Sequence, residues 1–274
     1  MTDDETTESV IDEQLSRRRV LAGAAAAGGA LALGGLATVG AADREATEFT
    51  VRIENVSGET GTTLDPSGDA SGVPVVLSPG AYAVHRRGEP IFSGPGDSRF
   101  DILRDGEPER FNGLEEVAED GNPGPLVASL SENDRVASTG AFTTPVGASA
   151  PGPLPPGMAY EFEVEAEPPA RYLSLVTMFV QSNDLFYALG GASGFELFDG
   201  LDPVDGDVTE HVGLWDAGTE INEEPGVGEN QAPRQRAAGV GLVERGLVAP
   251  IEMVNGYDYP PVENVLEVTI SSSM

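Results

Sequence analysis

YEFEVEAEPPARYLSLVTMFV, the run Tyr160–Val180, sets the architecture. In its first half Tyr160, Phe162, Val164 and Ala166 alternate with Glu161, Glu163, Glu165 and Glu167. Side chains on a strand point to opposite faces in turn, so this pattern predicts a half-buried strand with one face wholly carboxylate, turned to solvent. The second half, Arg171–Val180, is the most apolar run of the chain. With no polar face to give to water, it predicts a strand covered on both faces, in the middle of a sheet.

Outward from this run the same signals recur. Glu48–Val56 alternates, with Phe49, Val51 and Ile53 apolar. Val136–Phe142, Leu185–Leu189, Val208–Trp215 and Val262–Ile270 also read as strands. Val73–Leu77 and Ala81–Val84 read as two short strands parted by a turn at Ser78-Pro79-Gly80. His85, beside Arg86 and Arg87, is expected at a solvated strand end. Asn112–Gly121 predicts a helix, with Asn112 as cap, Glu115 three residues on and Gly121 as terminator. Leu126–Leu130 reads equally as a helical turn or a strand, and residues 57–71 as a loop. Many short strands between Gly/Pro turns, with one or two short helices, predict an all-β fold, an antiparallel β-sandwich. No repeat or convincing linker divides residues 43–274, which read as one domain.

Charge narrows the partners. The chain carries 46 acidic residues against 15 basic ones, and all of the latter are Arg. Such a surface repels nucleic acid and anionic lipid, so nucleic acid is excluded as a partner, and membrane contact is expected only at the export segment. An acidic, Lys-free surface suits a halophile, because molar salt screens the self-repulsion. There is no Cys, so no disulfide or thiolate site exists. A domain of roughly 230 residues must then be held by its apolar core.

Near the amino terminus Ser16, Arg17, Arg18, Arg19, Val20 and Leu21 match the twin-arginine export pattern. An uncharged, Ala/Gly-rich stretch Leu21–Val39 follows, with small residues at Gly40-Ala41-Ala42 for cleavage. Residues 1–42 are therefore expected to act as a Tat signal peptide, the rival being a retained anchor, and the protein to be secreted or displayed at the cell surface. Asn55-Val56-Ser57 is a sequon, which makes Asn55 a candidate glycosylation site.

The chemistry-bearing residues are few. With two His and no Cys, a zinc site is excluded in practice. No nucleophile elbow or phosphate loop is present, and acids are too abundant for any pair to mark a glycosidase, so no enzyme is expected. Two strand ends suit a hard cation such as Ca2+: Asp184 after the apolar strand, and Asp216 with Glu220 after Trp215, the only Trp. Gly218 permits a tight turn between Asp216 and Glu220. The same spacing serves a solvated acidic turn equally well.

Four ordered stretches add a resemblance. WDAGTEINEEPG (Trp215–Gly226), GLEEVAEDGNP (Gly113–Pro123), SLVTMFVQSNDLF (Ser174–Phe186) and NQAPRQ (Asn230–Gln235) resemble the spondin amino-terminal domain family, over about residues 47–271. The resemblance is to its stand-alone prokaryotic members. It implies a β-sandwich akin to calcium-dependent membrane-binding domains, with Ca2+ at one end and a role in extracellular adhesion. It places the calcium aspartates at Asp184 and Asp216 and the third acidic position at Glu220, where Asp is common in animal members. The cysteines and thrombospondin-type repeats of animal members are missing from this sequence, so their matrix partners do not transfer. The expected function is an exported, non-catalytic, calcium-binding sandwich that contacts an extracellular protein or glycan. A secreted carbohydrate-active enzyme and a structural envelope protein are the alternatives.

Overall fold

The computed structural model describes residues 46–65, 72–87, 112–254 and 256–273. The export motif Ser16, Arg17 and Arg18, and all of residues 1–42, lie outside them. In chain order the strands are β1 (Thr47–Asn55), β2 (Thr63–Leu64), β3 (Val73–Pro74), β4 (Leu77–Arg86), β5 (Val136–Phe142), β6 (Ala159–Ala166), β7 (Ala170–Phe179) and β8 (Leu185–Leu189). Then come β9 (Phe195–Glu196), β10 (Phe198–Asp199), β11 (Asp202–Pro203), β12 (Gly206–Asp207), β13 (Val212–Asp216), β14 (Ala249–Pro250) and β15 (Leu266–Ser273). The helices are α1 (Ser57–Thr60), α2 (Leu114–Asp120) and α3 (Gly124–Ser131).

The fold is all-β, with antiparallel sheets forming a sandwich. One sheet has the order β12-β15-β1-β6. The other runs β14-β13-β8-β7-β4-β5, with β9 also on β7. Phe49, Val51 and Ile53 of β1, Tyr160 and Val164 of β6, and Val268 and Ile270 of β15 meet Leu173, Leu175 and Phe179 of β7 and Tyr187 and Leu189 of β8 in the main core. The outward row Glu161, Glu163 and Glu165 is exposed, as its alternation requires.

β7 sits between β4 and β8, and both of its faces are covered. The second face packs on helices: Ala81, Ala83, Val176, Phe186 and Ala188 meet Leu114, Val117, Leu126 and Leu130. Helices of seven and eight residues are not stable alone. Roughly 1.5–3 kcal/mol for each large buried side chain holds them to the sheet. Leu126–Leu130 thus belongs to a helix, and α1 interrupts what reads in sequence as a loop.

Two expectations fail here. Ser78-Pro79-Gly80 does not break the chain into two strands; β4 runs through it. The pairing with β7 shifts register between Leu77 and Gly80, and pairing with β5 starts only at Gly80. Pro79, which has no N–H to give, falls in this bulge. Ser78 Oγ accepts the Met178 N–H at 3.0 Å, and Thr177 Oγ1 donates to the Ser78 carbonyl at 2.7 Å, so side chains replace the ladder bonds lost. His85 is fully buried rather than solvated. Its Nδ1 lies 2.8 Å from the Arg86 carbonyl and its Nε2 2.9 Å from Ser174 Oγ. A carbonyl accepts only, so Nδ1 carries the proton and Nε2 accepts from Ser174.

Asn55 is also corrected. Its side chain is 0% exposed. Nδ2 donates to the carbonyls of Val75 (3.0 Å) and Leu154 (2.9 Å), and Oδ1 accepts from Ser57 N (3.2 Å) and Ser57 Oγ (2.6 Å). Both amide hydrogens are used and the nitrogen is sealed, so the folded domain offers nothing to glycosylation. The sequon arises because Asn55 and Ser57 bond each other across the end of β1.

Candidate metal centre

β13 carries Val212, Leu214 and Asp216 on one face, and all three are buried. The period of two that sends Val212 and Leu214 into the main core also sends Asp216 inward at the strand's end. β13 pairs with β8 so that Asp216 lies opposite Leu185, next to Asp184. Two strand ends are thus brought together by register alone.

Asp184 is 0% exposed. Its Oδ2 accepts the backbone N–H of Thr219 (2.8 Å) and of Glu220 (3.0 Å), and the Thr219 hydroxyl at 3.2 Å. Its Oδ1 is buried with no hydrogen-bond partner among the described residues. Asp216 Oδ1 accepts Gly218 N–H at 2.6 Å, and Oδ2 accepts from the Asn222 amide. Gly218, at φ 68°, makes the tight turn expected of it. Burial, then the Asp216 charge, raise Asp184 well above the usual carboxylate range, against the three hydrogen bonds to it. Burial raises Asp216 too, opposed by the bonds from Asn222 and Gly218. A buried carboxyl with an unpartnered oxygen beside a second buried carboxyl is costly unless protonated or matched by a cation.

Glu220 does not complete this pair with its side chain. Its backbone N–H goes to Asp184, while its Oε1 accepts the Gly241 N–H at 2.6 Å. The carboxylates it feels are Asp120 and Glu223, and it in turn raises Glu119. Its Oε2 is buried with no hydrogen-bond partner among the described residues, as Asp184 Oδ1 is, and Asn183 beside Asp184 also acts on its carboxylate. The further carboxyl that Asp216 does raise is Glu244, after burial, which sequence reading missed. Among the described residues no three His, Cys, Asp or Glu side chains converge as a compact cage. The oxygen set is the Asp184–Asp216 pair.

The loops around the pair interlock. Asn183 Oδ1 accepts Glu223 N–H (2.9 Å), and its Nδ2 donates to Glu223 Oε2 (3.2 Å). Asn230 binds both oxygens of Glu223 through N (2.9 Å) and Nδ2 (3.0 Å). Gln231 bonds the Glu224 carbonyl (2.8 Å) and Gly226 N–H (3.0 Å). Gln235 reaches Asp120 of α2 at 2.7 Å. Residues 242–246 run beside the acidic turn, with Ile221 N–H to Leu242 O (2.7 Å), Glu244 N–H to Thr219 O (2.8 Å) and Gly246 N–H to Gly218 O (2.8 Å). The hub is Glu223, whose partners lie 40 and 7 positions away, beyond the reach of a local sequence pattern.

Behind the turn Glu119 is buried, and burial pushes it up to about 7 against a hydrogen bond from Thr219, with Glu220, Glu115 and Asp120 adding repulsion. The folded carboxyl keeps its proton up to about pH 7, whereas the unfolded one loses it near the usual 4.5. Its stabilising contribution is complete below pH 4.5 and lost as pH rises through 7. Glu119→Gln is expected to raise stability at pH 8 by about 1–2 kcal/mol and to leave it unchanged at pH 4. Urea unfolding at the two pH values checks this.

The His85–Ser174 pair resembles half of a nucleophilic site, but both residues are buried. Gly194 lies over the ring, where a Cβ would come within 2.6 Å of it. The imidazole Nδ1 faces a carbonyl rather than a carboxylate. No helix among the described residues is long and apolar enough to cross a membrane. No protein-family model matches this chain, and no curated protein is similar to it.

Proposed function

We propose that the protein is an exported, non-catalytic, calcium-binding β-sandwich of the spondin type, which acts in adhesion by contacting an extracellular protein or glycan. The observation that carries the proposal is the buried Asp184–Asp216 pair with its unpartnered Oδ1. The donors are carboxylate oxygens without nitrogen or sulfur, which suits a hard cation and Ca2+ above all. Asp184 and Asp216 would hold the ion. It would supply the positive charge that their burial lacks and fix the loops of β8 and β13 that carry them.

The spondin-like stretches support the same end of the molecule. Segments 113–123 and 174–186 are far in sequence from the neighbouring segments 215–226 and 230–235, yet they are joined to them by Gln235–Asp120 and Asn183–Glu223 contacts. Twin-arginine export fits a domain that needs no disulfide and holds itself by its core.

Thermal unfolding tests the metal. With Ca2+ at a hundred times its dissociation constant, the native protein should gain roughly 2.7 kcal/mol over the chelated sample. Asp216→Asn is expected to lose this gain, and Glu220→Gln to keep it. Equal curves with Ca2+ and with chelator, for the native protein, would refute the proposal.

A further inference from the structure

Next to this end of the sandwich is a cleft of about 640 Å³. It is built by three separate pieces of chain: β2 with its flanks, the Glu224-Pro225 corner of the acidic turn, and the segment from Gly256 to Asn264. Thr63, Glu224, Tyr257, Asp258, Tyr259 and Asn264 give it its chemistry. Its lining contains neither Asp184 nor Asp216.

Three properties define what it can take. No Lys, Arg or His is among the described residues that line it, and Asp65, Glu224 and Asp258 are exposed carboxylates there, so an anion is repelled. Carboxylates accept hydrogen bonds and give none, so a positively charged donor complements them. Tyr257 is 39% exposed, and Tyr259 stands half-buried beside it, packed by its ring edge against Phe179. Aromatic faces next to carboxylates favour a cation, because the ring quadrupole and the carboxylate charges both attract it. Burial first, and then the neighbouring Asp216, Tyr257 and Asp184, raise the Tyr259 phenol above its ordinary value.

We infer that the cleft binds a guanidinium or ammonium group, with Glu224 and Asp258 as counter-charges and Tyr257 and Tyr259 as the aromatic wall. The site goes beyond calcium binding, and it gives the adhesion partner a chemistry: a cationic group presented to the end of the domain. Such a group comes either from an Arg or Lys side chain or from a free polyamine.

The test is titration of the full chain, with chelator present, by blocked arginine (Nα-acetylarginine amide), by blocked lysine and by putrescine, followed through the ring resonances of 13C-labelled tyrosine. Saturable shifts of Tyr257 and Tyr259 are expected with the blocked amino acids, with putrescine or with both. The relative affinities then separate a side-chain source from a free amine. The isosteric neutral control, Nα-acetylcitrulline amide, should leave both rings unmoved. Asp258→Asn and Tyr257→Ala, at exposed positions that leave the fold intact, should each weaken binding about tenfold. Equal response to the citrulline control, saturable shifts with a neutral sugar instead, or no response to any cation in a protein whose unfolding curve is normal would overturn the proposal. Because calcium is absent throughout, failure here is distinct from failure of the metal site.

Discussion

Asn55→Ala is expected to lower stability by about 3 kcal/mol. The side chain joins three parts of the sandwich: β1 to which it belongs, the segment before β4 through Val75, and the loop before β6 through Leu154. Removing it leaves the buried Val75 carbonyl without its donor and Ser57 without its acceptor, while the Leu154 carbonyl keeps only the Leu77 N–H at 3.2 Å. Each buried group left unsatisfied costs about 1–3 kcal/mol, and the losses overlap because the groups share one cavity. Asn55→Asp should fare as badly, since an anion would accept where two carbonyls require a donor. Urea denaturation measures both. A cost below about 1 kcal/mol for the alanine variant would show that water satisfies these groups and that the network is incidental.

Asp184→Asn moves stability in opposite directions with and without metal. In the chelated protein, the substitution removes a buried charge beside Asp216 and keeps an oxygen for the Thr219 and Glu220 amides. It should therefore stabilise the metal-free domain by about 1–2 kcal/mol at pH 8. The effect fades at acid pH. Asp184 is raised in the folded state, so its protonated form contributes stability at low pH that is lost as pH rises through the folded value. With Ca2+ in excess the order inverts, because the native protein gains from the ion and the variant does not. Melting curves of both proteins, at pH 5 and pH 8, with Ca2+ and with chelator, measure every term. Destabilisation of the variant by the same amount under all conditions would assign Asp184 to loop structure alone.

The parts of this fold visible in the sequence are those governed by neighbours a few residues away. The alternation of Glu161, Glu163 and Glu165 fixes the outward face of β6, the apolar run fixes β7 as doubly covered, and Gly121 ends α2 as expected, although the cap at the other end is Gly113, with Asn112 one residue before it accepting Leu114 N–H at 2.7 Å. Asp184 and Asp216 stood out because each follows a buried strand, and register then brings them together. What escaped depends on distant partners. Pro79 reads as a break until Ser78 and Thr177 are seen to hold the bulge, and His85 reads as solvated until Gly194 closes over it. Asn55 reads as a sequon until Val75 and Leu154 take its hydrogens. Val262–Ile270 reads as one strand, but a short 3-10 turn occupies Val262–Asn264 and the strand begins at Leu266. Glu220 passed for a ligand because spacing records a side chain's position along the chain, whereas its direction is set by the Gly218 turn and the Gly241 N–H.

The central claim is that the Asp184–Asp216 pair binds calcium, and calorimetric titration of the chelator-stripped protein with Ca2+ addresses it most directly, performed at pH 6 in buffers of different ionisation enthalpy. A raised carboxyl must give up its proton to the ion. The expected result is a single saturable equivalent, absent in Asp184→Asn, with a buffer-dependent heat that reports proton release. Absence of saturable heat up to millimolar Ca2+ would contradict the claim, as would binding that persists undiminished in Asp184→Asn.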